Sequence, residues 1–306
     1  MKLKEYQNAI ISDRIPSEIE EIQGRELDRG GYSIVPGGPY RPDATAWAVI
    51  ALEASGVTND RLTKARERLA GSQRSDGRVV FSSRLGAAYW ATPLAVLAWA
   101  NDPQFQNIKQ KSADFLLATG GHHEAMTRDP IFGHDPTLRG WPWIEGTHSW
   151  IEPTSVTVLA LRACGRKHER MDEAVSMILD RQLASGGWNY GNTTVFGTEL
   201  WPIPECTGLA LNAMSGLVPK DRILRSLGYM ESASTGTRTP LALSWGILGL
   251  GSWAERPEGA NEWIEESLAL QNRYGSYDTT LLAQLVVAYH ASAGLLSLFR
   301  ERESGG

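Results

Sequence analysis

Cysteine is nearly absent from this chain: only Cys164 and Cys206 occur among 306 residues, and they form no C-x-x-C motif. Two cysteines cannot build the disulfide framework of a small secreted protein, so we interpret both as reduced and buried. A basic excess is absent too, because 30 Lys and Arg stand against 35 Asp and Glu, for a net charge of −5. This balance excludes the clustered basic surface of a nucleic-acid-binding protein.

Long hydrophobic runs are also missing. The first residues lack the sustained apolar stretch of a secretory signal. Residues 281–299 are the one stretch long enough to suggest a membrane span, but Gln284, His290, Ser292 and Ser297 interrupt it, which favours a buried helix. With 42% hydrophobic residues, the chain can bury a large core without metal ions or disulfides. We therefore predict a cytoplasmic globular protein.

What the sequence does contain is repetition. Six runs are apolar nearly all round, with small residues between the larger ones, as in helices that are buried on every side. Thr92-Pro93 and Thr239-Pro240 each predict an N-cap followed by proline at the first helical position. Each run opens at a threonine, at intervals of 32 to 62 residues that are typical of repeats with loop insertions: Thr45, Thr92, Thr154, Thr207, Thr239 and Thr280.

Amphipathic segments alternate with these runs. Their polar faces carry Glu, Arg and Lys, which is typical of a solvated outer layer. The alternation predicts an all-α fold, a single α/α toroid in which six outer helices surround six parallel inner helices whose N-termini share one rim. We expect one domain over residues 1–306, with a frayed tail at 300–306. The predicted outer helices cover residues 17–29, 60–73, 104–119, 169–185, 219–231 and 258–272.

The connection from an outer to an inner helix repeats as well. It has Gln near the end of the outer helix, then Gly and an aromatic residue, as in Gln182…Gly187-Trp188. We expect Gly to supply a left-handed turn, the aromatic to pack back over the helix end, and Gln to bond backbone groups freed there. Gln73…Gly77 and Gln271…Tyr277 are looser copies. In these features the chain resembles the superfamily of terpene cyclases (squalene–hopene cyclases) and protein prenyltransferases, which implies the α/α toroid.

The resemblance extends to one motif of chemistry. Class II terpene cyclases open an inner helix with D-x-D-D-T-A, whose middle Asp protonates an alkene. Residues 41–46, Arg-Pro-Asp-Ala-Thr-Ala, fall on this frame. The resemblance implies that Asp43 is the proton donor, while Arg41 and Ala44 replace the two supporting acids.

A metal site is not predicted. The prenyltransferases bind zinc through Asp, Cys and His, but Glu205-Cys206 lacks their Asp-x-Cys spacing. His290 would lie deep in the last inner helix. His122 and His123 are adjacent, as in a solvated surface loop. We expect no metal ion and no cofactor.

Acidic residues nevertheless mark four of the six inner-helix starts: Asp43, Glu152, Glu205 and Asp278. Each could simply be an N-terminal residue that favours the helix dipole. If several face one mouth, their like charges raise at least one pKa. Asp43, Glu152 and Glu205 are therefore the candidate proton donors, and His148, four residues before Glu152, could orient that acid.

Aromatic residues are concentrated in the connectors beside these acids. The longest connector, residues 134–150, is rich in Trp and Pro and has no helical period, which indicates a functional loop rather than disorder. A second loop, residues 196–202, precedes Glu205. We expect the substrate pocket to be lined by Tyr89, Trp90, Trp143, Glu145, Trp150, Trp201 and Asp278.

These features favour an isoprenoid-handling enzyme that performs an acid-initiated cyclisation or isomerisation, because aromatic faces stabilise carbocations. Its partner would be a hydrophobic small molecule, with at most transient contact with a membrane surface. Two alternatives stay open. One is a non-catalytic toroid that binds a lipid or peptide, and the other is a glycan-active toroid in which a carboxyl pair performs acid–base work.

Overall fold

The structure is a computed structural model that describes residues 14–82, 87–125 and 133–299. The tail predicted at residues 300–306 lies outside the described residues, and the boundaries of the domain stay a prediction.

Two sets of helices alternate along the chain. The inner helices are α2 (Pro42–Ala54), α4 (Ala91–Ala98), α6 (Ile151–Ala163), α8 (Pro204–Met214), α10 (Pro240–Gly251) and α13 (Thr279–His290). The outer helices are α1 (Arg14–Gly24), α3 (Asp60–Ala70), α5 (Gln106–Ala118), α7 (Glu169–Asp180), α9 (Leu224–Gly236) and α11 (Ala260–Ala269), which α12 (Gln271–Tyr274) extends. Short 3₁₀ helices cover Pro103–Phe105, Lys220–Ile223 and Leu295–Leu298. The hairpin β1 (Thr194–Val195) and β2 (Thr198–Glu199) pairs Thr194 with Glu199.

The inner helices close into a ring. Each packs against the next along the chain, and α13 returns to pack against α2. The outer helices cover this ring, so the predicted single α/α toroid is confirmed. Among the described residues no helix is long and apolar enough to cross a membrane. The stretch at residues 281–299 is not one helix, because α13 ends at His290 and a separate 3₁₀ helix follows.

The repeated threonines hold the connectors to the inner helices. The Oγ1 atoms of Thr45, Thr92, Thr154 and Thr207 accept the buried backbone N–H groups of Tyr32, Val79, Trp141 and Trp188 at 2.9–3.1 Å. The predicted N-cap at Thr92 is wrong, because α4 starts at Ala91 and Thr92 lies inside its first turn. Thr239 does occupy the N-cap of α10, but its side chain makes no capping hydrogen bond.

The sequence predicts that the repeated glutamines bond backbone groups at the end of their own helix. Gln271 does accept the N–H of Tyr277 in its own connector, at 2.8 Å, but Gln73 and Gln182 reach the next outer helix instead. Gln73 Nε2 donates to Ile108 O and Ser112 Oγ of α5, both at 2.8 Å. Gln182 Nε2 donates to Ser226 Oγ of α9 at 2.7 Å. The aromatic of the connector packs back as predicted, since Trp188 Nε1 donates to Ile178 O in α7 at 2.7 Å.

The centre of the ring is filled. Trp47 on α2 and Trp245 on α10 are each 3% exposed, and their ring centroids are 5.7 Å apart in an edge-to-face arrangement. Because α13 lies between α2 and α10 in the ring, the two indoles meet inside it. At this level packed side chains, rather than an open channel, lie inside the ring.

Candidate functional site

Two carboxyl groups come together where the inner helices begin. Glu152 and Glu205 are the second residues of the neighbouring helices α6 and α8, each placed there by the connector that ends just before it. Both side chains are half-buried, and neither forms an ion pair among the described residues. Burial and, secondarily, the charge of Glu205 raise the pKa of Glu152 to about 7. Glu152 is therefore a carboxyl group that can hold a proton near neutral pH.

Three further groups surround this pair. Burial first and then the two glutamates raise the pKa of the Cys206 thiol, so it stays neutral. Burial raises the pKa values of Tyr190 and Tyr229, and the charge of Glu205 raises them further. Tyr190 is 50% exposed, and its carbonyl accepts the N–H of Ile151 at 2.9 Å, which fixes it at the start of α6. Tyr229 donates its hydroxyl to Pro202 O at 3.0 Å.

Asp43, the residue on the cyclase motif, has a different environment. Arg41 Nε and Nη2 donate to its two carboxylate oxygens at 3.0 and 2.6 Å. A guanidinium in this bidentate geometry binds the ionised carboxylate, which has no proton to donate. Asp43, the proton donor that the resemblance implies, is therefore paired with a guanidinium in this structure.

An aromatic wall lies beside this ion pair. The Arg41 guanidinium sits 5.2 Å from the ring centroid of Phe81, Phe81 lies 4.6 Å from Trp90, and Trp90 lies 5.7 Å from Trp143. Trp90 immediately precedes α4, between the helices that carry Asp43 and Glu152. The wall thus places three aromatic rings beside the start of α4.

The connector of residues 133–150 is irregular, as predicted, and it packs against the start of α4. Trp143 O accepts the N–H of Tyr89 at 2.8 Å. His148 is exposed and lies edge-to-face with His122, with ring centroids 5.5 Å apart. Because α6 begins only at Ile151, helical geometry does not extend back to His148. No hydrogen bond joins His148 to Glu152 among the described residues, so the expected orienting role has no support.

The remaining predicted pocket residues are scattered. Tyr89 is 5% exposed under the Arg78 guanidinium, and Glu145 is exposed and pairs with Arg78 at 2.9 Å. Trp150 is half-buried, whereas Trp201 is 87% exposed.

Asp278 caps α13. Its Oδ1 accepts the N–H of Leu281 at 2.9 Å and the hydroxyl of Thr280 at 2.5 Å. Of the four rim acids, only Glu152 and Glu205 therefore interact with each other.

The mouth is shallow beneath these acids. Leu94 and Val156, one turn below the start of α4 and α6, retain 7% and 9% exposure. Leu97 and Leu159, another turn down, are 1% and 0% exposed. On α4 and α6 the apolar side chains are therefore closed to water from the second to third helical turn onward.

Sequence reasoning missed several of these residues. Phe81 and Tyr190 lie in connectors that lead to inner helices, and that position is the signal that could have found them. Tyr229 lies on the amphipathic outer helix α9 and carries no signal at all. No group of three or more potential metal-ligating side chains occurs in the described ranges.

Comparison with known proteins relies on structure alone, because neither a protein family nor a curated sequence matches. The R337A variant of the type II terpene cyclase MstE from Scytonema, in complex with geranylgeranyl dihydroxybenzoate, aligns with a TM-score of 0.62 and 13% identity over 94% of this chain and 98% of that one. An α-1,6-mannanase of Salegentibacter aligns with a TM-score of 0.59 and 12% identity over 91% and 98%. The ent-copalyl diphosphate synthase of Streptomyces platensis gives 0.53 and 15% over 86% and 52%. The chain thus shares the α/α toroid fold of these terpene cyclases and of the mannanase.

Proposed function

We propose that the chain is an acid–base enzyme that cyclises or isomerises a prenylated small molecule, with Glu152 as the proton donor. The observation that carries this proposal is the Glu152–Glu205 pair, in which one carboxyl group has a pKa near 7 at the mouth of the ring. An acid that starts a reaction at neutral pH must hold its proton until the substrate is bound. Glu152 meets this requirement, whereas Asp43 is bound by Arg41.

The reaction conserves mass. The O–H bond of Glu152 breaks and a C–H bond forms at an alkene carbon, which leaves a tertiary carbocation. In a cyclisation, a second double bond attacks this cation and closes a ring. In an isomerisation, this step is absent. Loss of a proton to the Glu152 or Glu205 carboxylate then forms the product alkene. The π-faces of Trp90, Trp143 and Phe81 can stabilise the cation while it exists.

The filled centre of the ring limits the substrate. Trp47 and Trp245 meet inside the ring, and the deeper apolar side chains of α4 and α6 are closed to water, so a prenyl chain would lie across the aromatic wall rather than pass through the ring. This favours short prenyl groups over long linear isoprenoids.

The test is an assay with prenylated aromatics, among them geranylgeranyl dihydroxybenzoate, the MstE substrate, and analogues with shorter prenyl chains. Chromatography with mass spectrometry should reveal an isomer of unchanged mass, made fastest from a short-chain analogue. Glu152→Gln should lower turnover about 100-fold or more, in the range of general acid catalysis. Glu169→Gln, which removes an exposed acid from α7, is the control. Full turnover by Glu152→Gln would exclude this mechanism.

A glycan-active enzyme is the second candidate, and a separate observation favours it. Trp201 and Tyr190 are 87% and 50% exposed and lie in the connector that leads to Glu205. Exposed aromatic faces stack on sugar rings, and a glutamic acid with a raised pKa beside an ionised carboxylate is the pair that glycosidases use. Incubation with α-1,6-mannotriose, the ligand of the mannanase complex, distinguishes the two candidate functions. Release of mannose that is lost in both Glu152→Gln and Glu205→Gln would replace the first proposal with the second.

A further inference from the structure

The ring of outer helices closes where its first member, α1, meets its last, α11. The two helices are contributed by opposite ends of the described chain, so no connector joins them. Arg25, which follows α1, ties this region to the last inner helix: it donates to Thr279 Oγ1 at 3.2 Å and to Tyr277 O at 2.9 Å. The contact between α1 and α11 itself depends on side chains.

Two carboxyl groups are buried in this contact. Glu18 of α1 is 6% exposed and Glu265 of α11 is 5% exposed. One oxygen of each, Oε2, is inaccessible to water and has no hydrogen-bond partner. The other oxygen of Glu18 accepts from Gln271 Nε2 at 3.3 Å. An ionised carboxylate can only accept hydrogen bonds, so two such dry oxygens are strongly unfavourable unless a proton is present.

The surrounding charges do not neutralise the two groups. Arg14 on α1 attracts the carboxylates of both Glu18 and Glu265. Glu21, also on α1, repels the carboxylate of Glu18. Arg25, which follows α1, attracts the carboxylate of Glu18 but forms its ion pair with Glu21. On α11, Glu266 pairs outward with Arg238. Gln271, which follows α11 and donates to Glu18, carries no charge.

We propose that a proton held by the Glu18–Glu265 pair closes the ring of outer helices, and that loss of this proton loosens the contact between α1 and α11. Burial raises the pKa of Glu265 to about 7 and also raises that of Glu18, against the attraction of Arg14. The transition therefore lies near neutral pH, far above the titration of exposed glutamates. The toroid thus has a pH-sensitive closure, distinct from the Glu152–Glu205 pair at its mouth.

The size of the effect follows from linkage. The opening equilibrium scales as the ionisation factor of the open form divided by that of the closed form. For the closed form, whose pKa is about 7, this factor rises from about 1.1 at pH 6 to about 11 at pH 8, a tenfold gain. The open form, with an ordinary glutamate pKa, is already ionised at both pH values, so its factor rises about 100-fold between pH 6 and pH 8.

 The equilibrium constant for opening therefore increases about tenfold between pH 6 and pH 8. This is the hundredfold gain of the open form divided by the tenfold gain of the closed form.

Hydrogen exchange measured by mass spectrometry tests this closure on the wild-type chain at pH 6 and pH 8, after correction for the intrinsic pH dependence of exchange. Peptides from α1 and α11 should lose about tenfold in protection at pH 8, whereas peptides from α7 should not change. Glu265→Gln keeps a neutral group at every pH and should abolish this difference. Glu262→Gln, an exposed acid on the same helix, should retain it.

Glu18→Gln provides an independent variant should Glu265→Gln fold poorly, and it should also reduce the difference. Protection of α1 and α11 that is the same at pH 6 and pH 8 in the wild type would overturn the proposal. The same tenfold loss in both Gln variants would overturn it as well, because the titrating group would then lie elsewhere.

Discussion

Gly208 offers the sharpest test of how the ring is packed. A Cβ atom placed on Gly208 would lie 2.3 Å from the carbonyl carbon and oxygen of Trp245 and 2.6 Å from the N atom of Gly246. All three are backbone atoms of α10, so no side chain can rotate away. The reciprocal position shows the same closeness, since a Cβ on Gly249 would lie 2.4 Å from Gly208 O. Gly208→Ala must therefore separate α8 from α10.

The magnitude follows from this geometry. Ordinary contacts of a Cβ atom begin near 3.4 Å, so the two helices must move apart by about 1 Å. Overpacking a core that can adjust costs about 1–3 kcal/mol, and a backbone contact cannot adjust. We expect Gly208→Ala to lower the free energy of unfolding by about 3 kcal/mol or more. Because Glu205 lies three residues earlier on α8, the shift should also disturb the Glu152–Glu205 pair.

Chemical denaturation monitored by circular dichroism measures this loss. Gly228→Ala is the matched control, because a Cβ at Gly228 on the outer helix α9 would meet nothing within 4 Å. That variant should be neutral or more stable by up to about 1 kcal/mol, since alanine favours helix over glycine. Equal free energies of unfolding for Gly208→Ala and Gly228→Ala would contradict the close backbone contact between α8 and α10.

Two further predictions concern the connectors and the mouth. Thr207→Val leaves the buried N–H of Trp188 without its acceptor and should cost about 1–3 kcal/mol in denaturation, whereas Thr235→Val on the exposed part of α9 should change little. If Glu152 donates the proton as proposed, its protonated fraction sets the rate, so turnover should be constant well below pH 7 and fall about tenfold per pH unit well above it. A rate that rises through this range would instead indicate that the ionised form is required.

The sequence was sufficient to predict the toroid because its two periodic signals are local. A helix that is apolar all round must be buried on every side, whereas an amphipathic helix is buried on one side only. The strict alternation of the two kinds therefore predicts an inner ring of helices surrounded by an outer ring. The order of the inner helices along the chain also predicts that α6 and α8 are neighbours. Glu152 and Glu205, each near the start of its helix, could therefore be placed at one rim from the sequence.

Other features depend on information that the sequence pattern does not hold. Whether Trp47 and Trp245 point into the ring depends on how each helix is rotated about its axis, which packing decides. The threonines could be recognised as a repeated signal, but their role as acceptors for connector N–H groups required the path of the connector. Glu18 and Glu265 are far apart in sequence and meet only because the ring closes.

The comparison of Asp43 with Glu152 shows why position in a motif does not determine the chemistry of an acid. Both are the second residue of an inner helix, where the positive end of the helix dipole favours the ionised carboxylate. Asp43 gains a guanidinium two residues earlier, which adds to that preference. Glu152 has no cation paired with it among the described residues and faces Glu205 instead, so burial and repulsion outweigh the dipole. Two acids at the same place in an inner helix therefore differ because Asp43 is paired with a guanidinium, whereas Glu152 is buried without a paired cation.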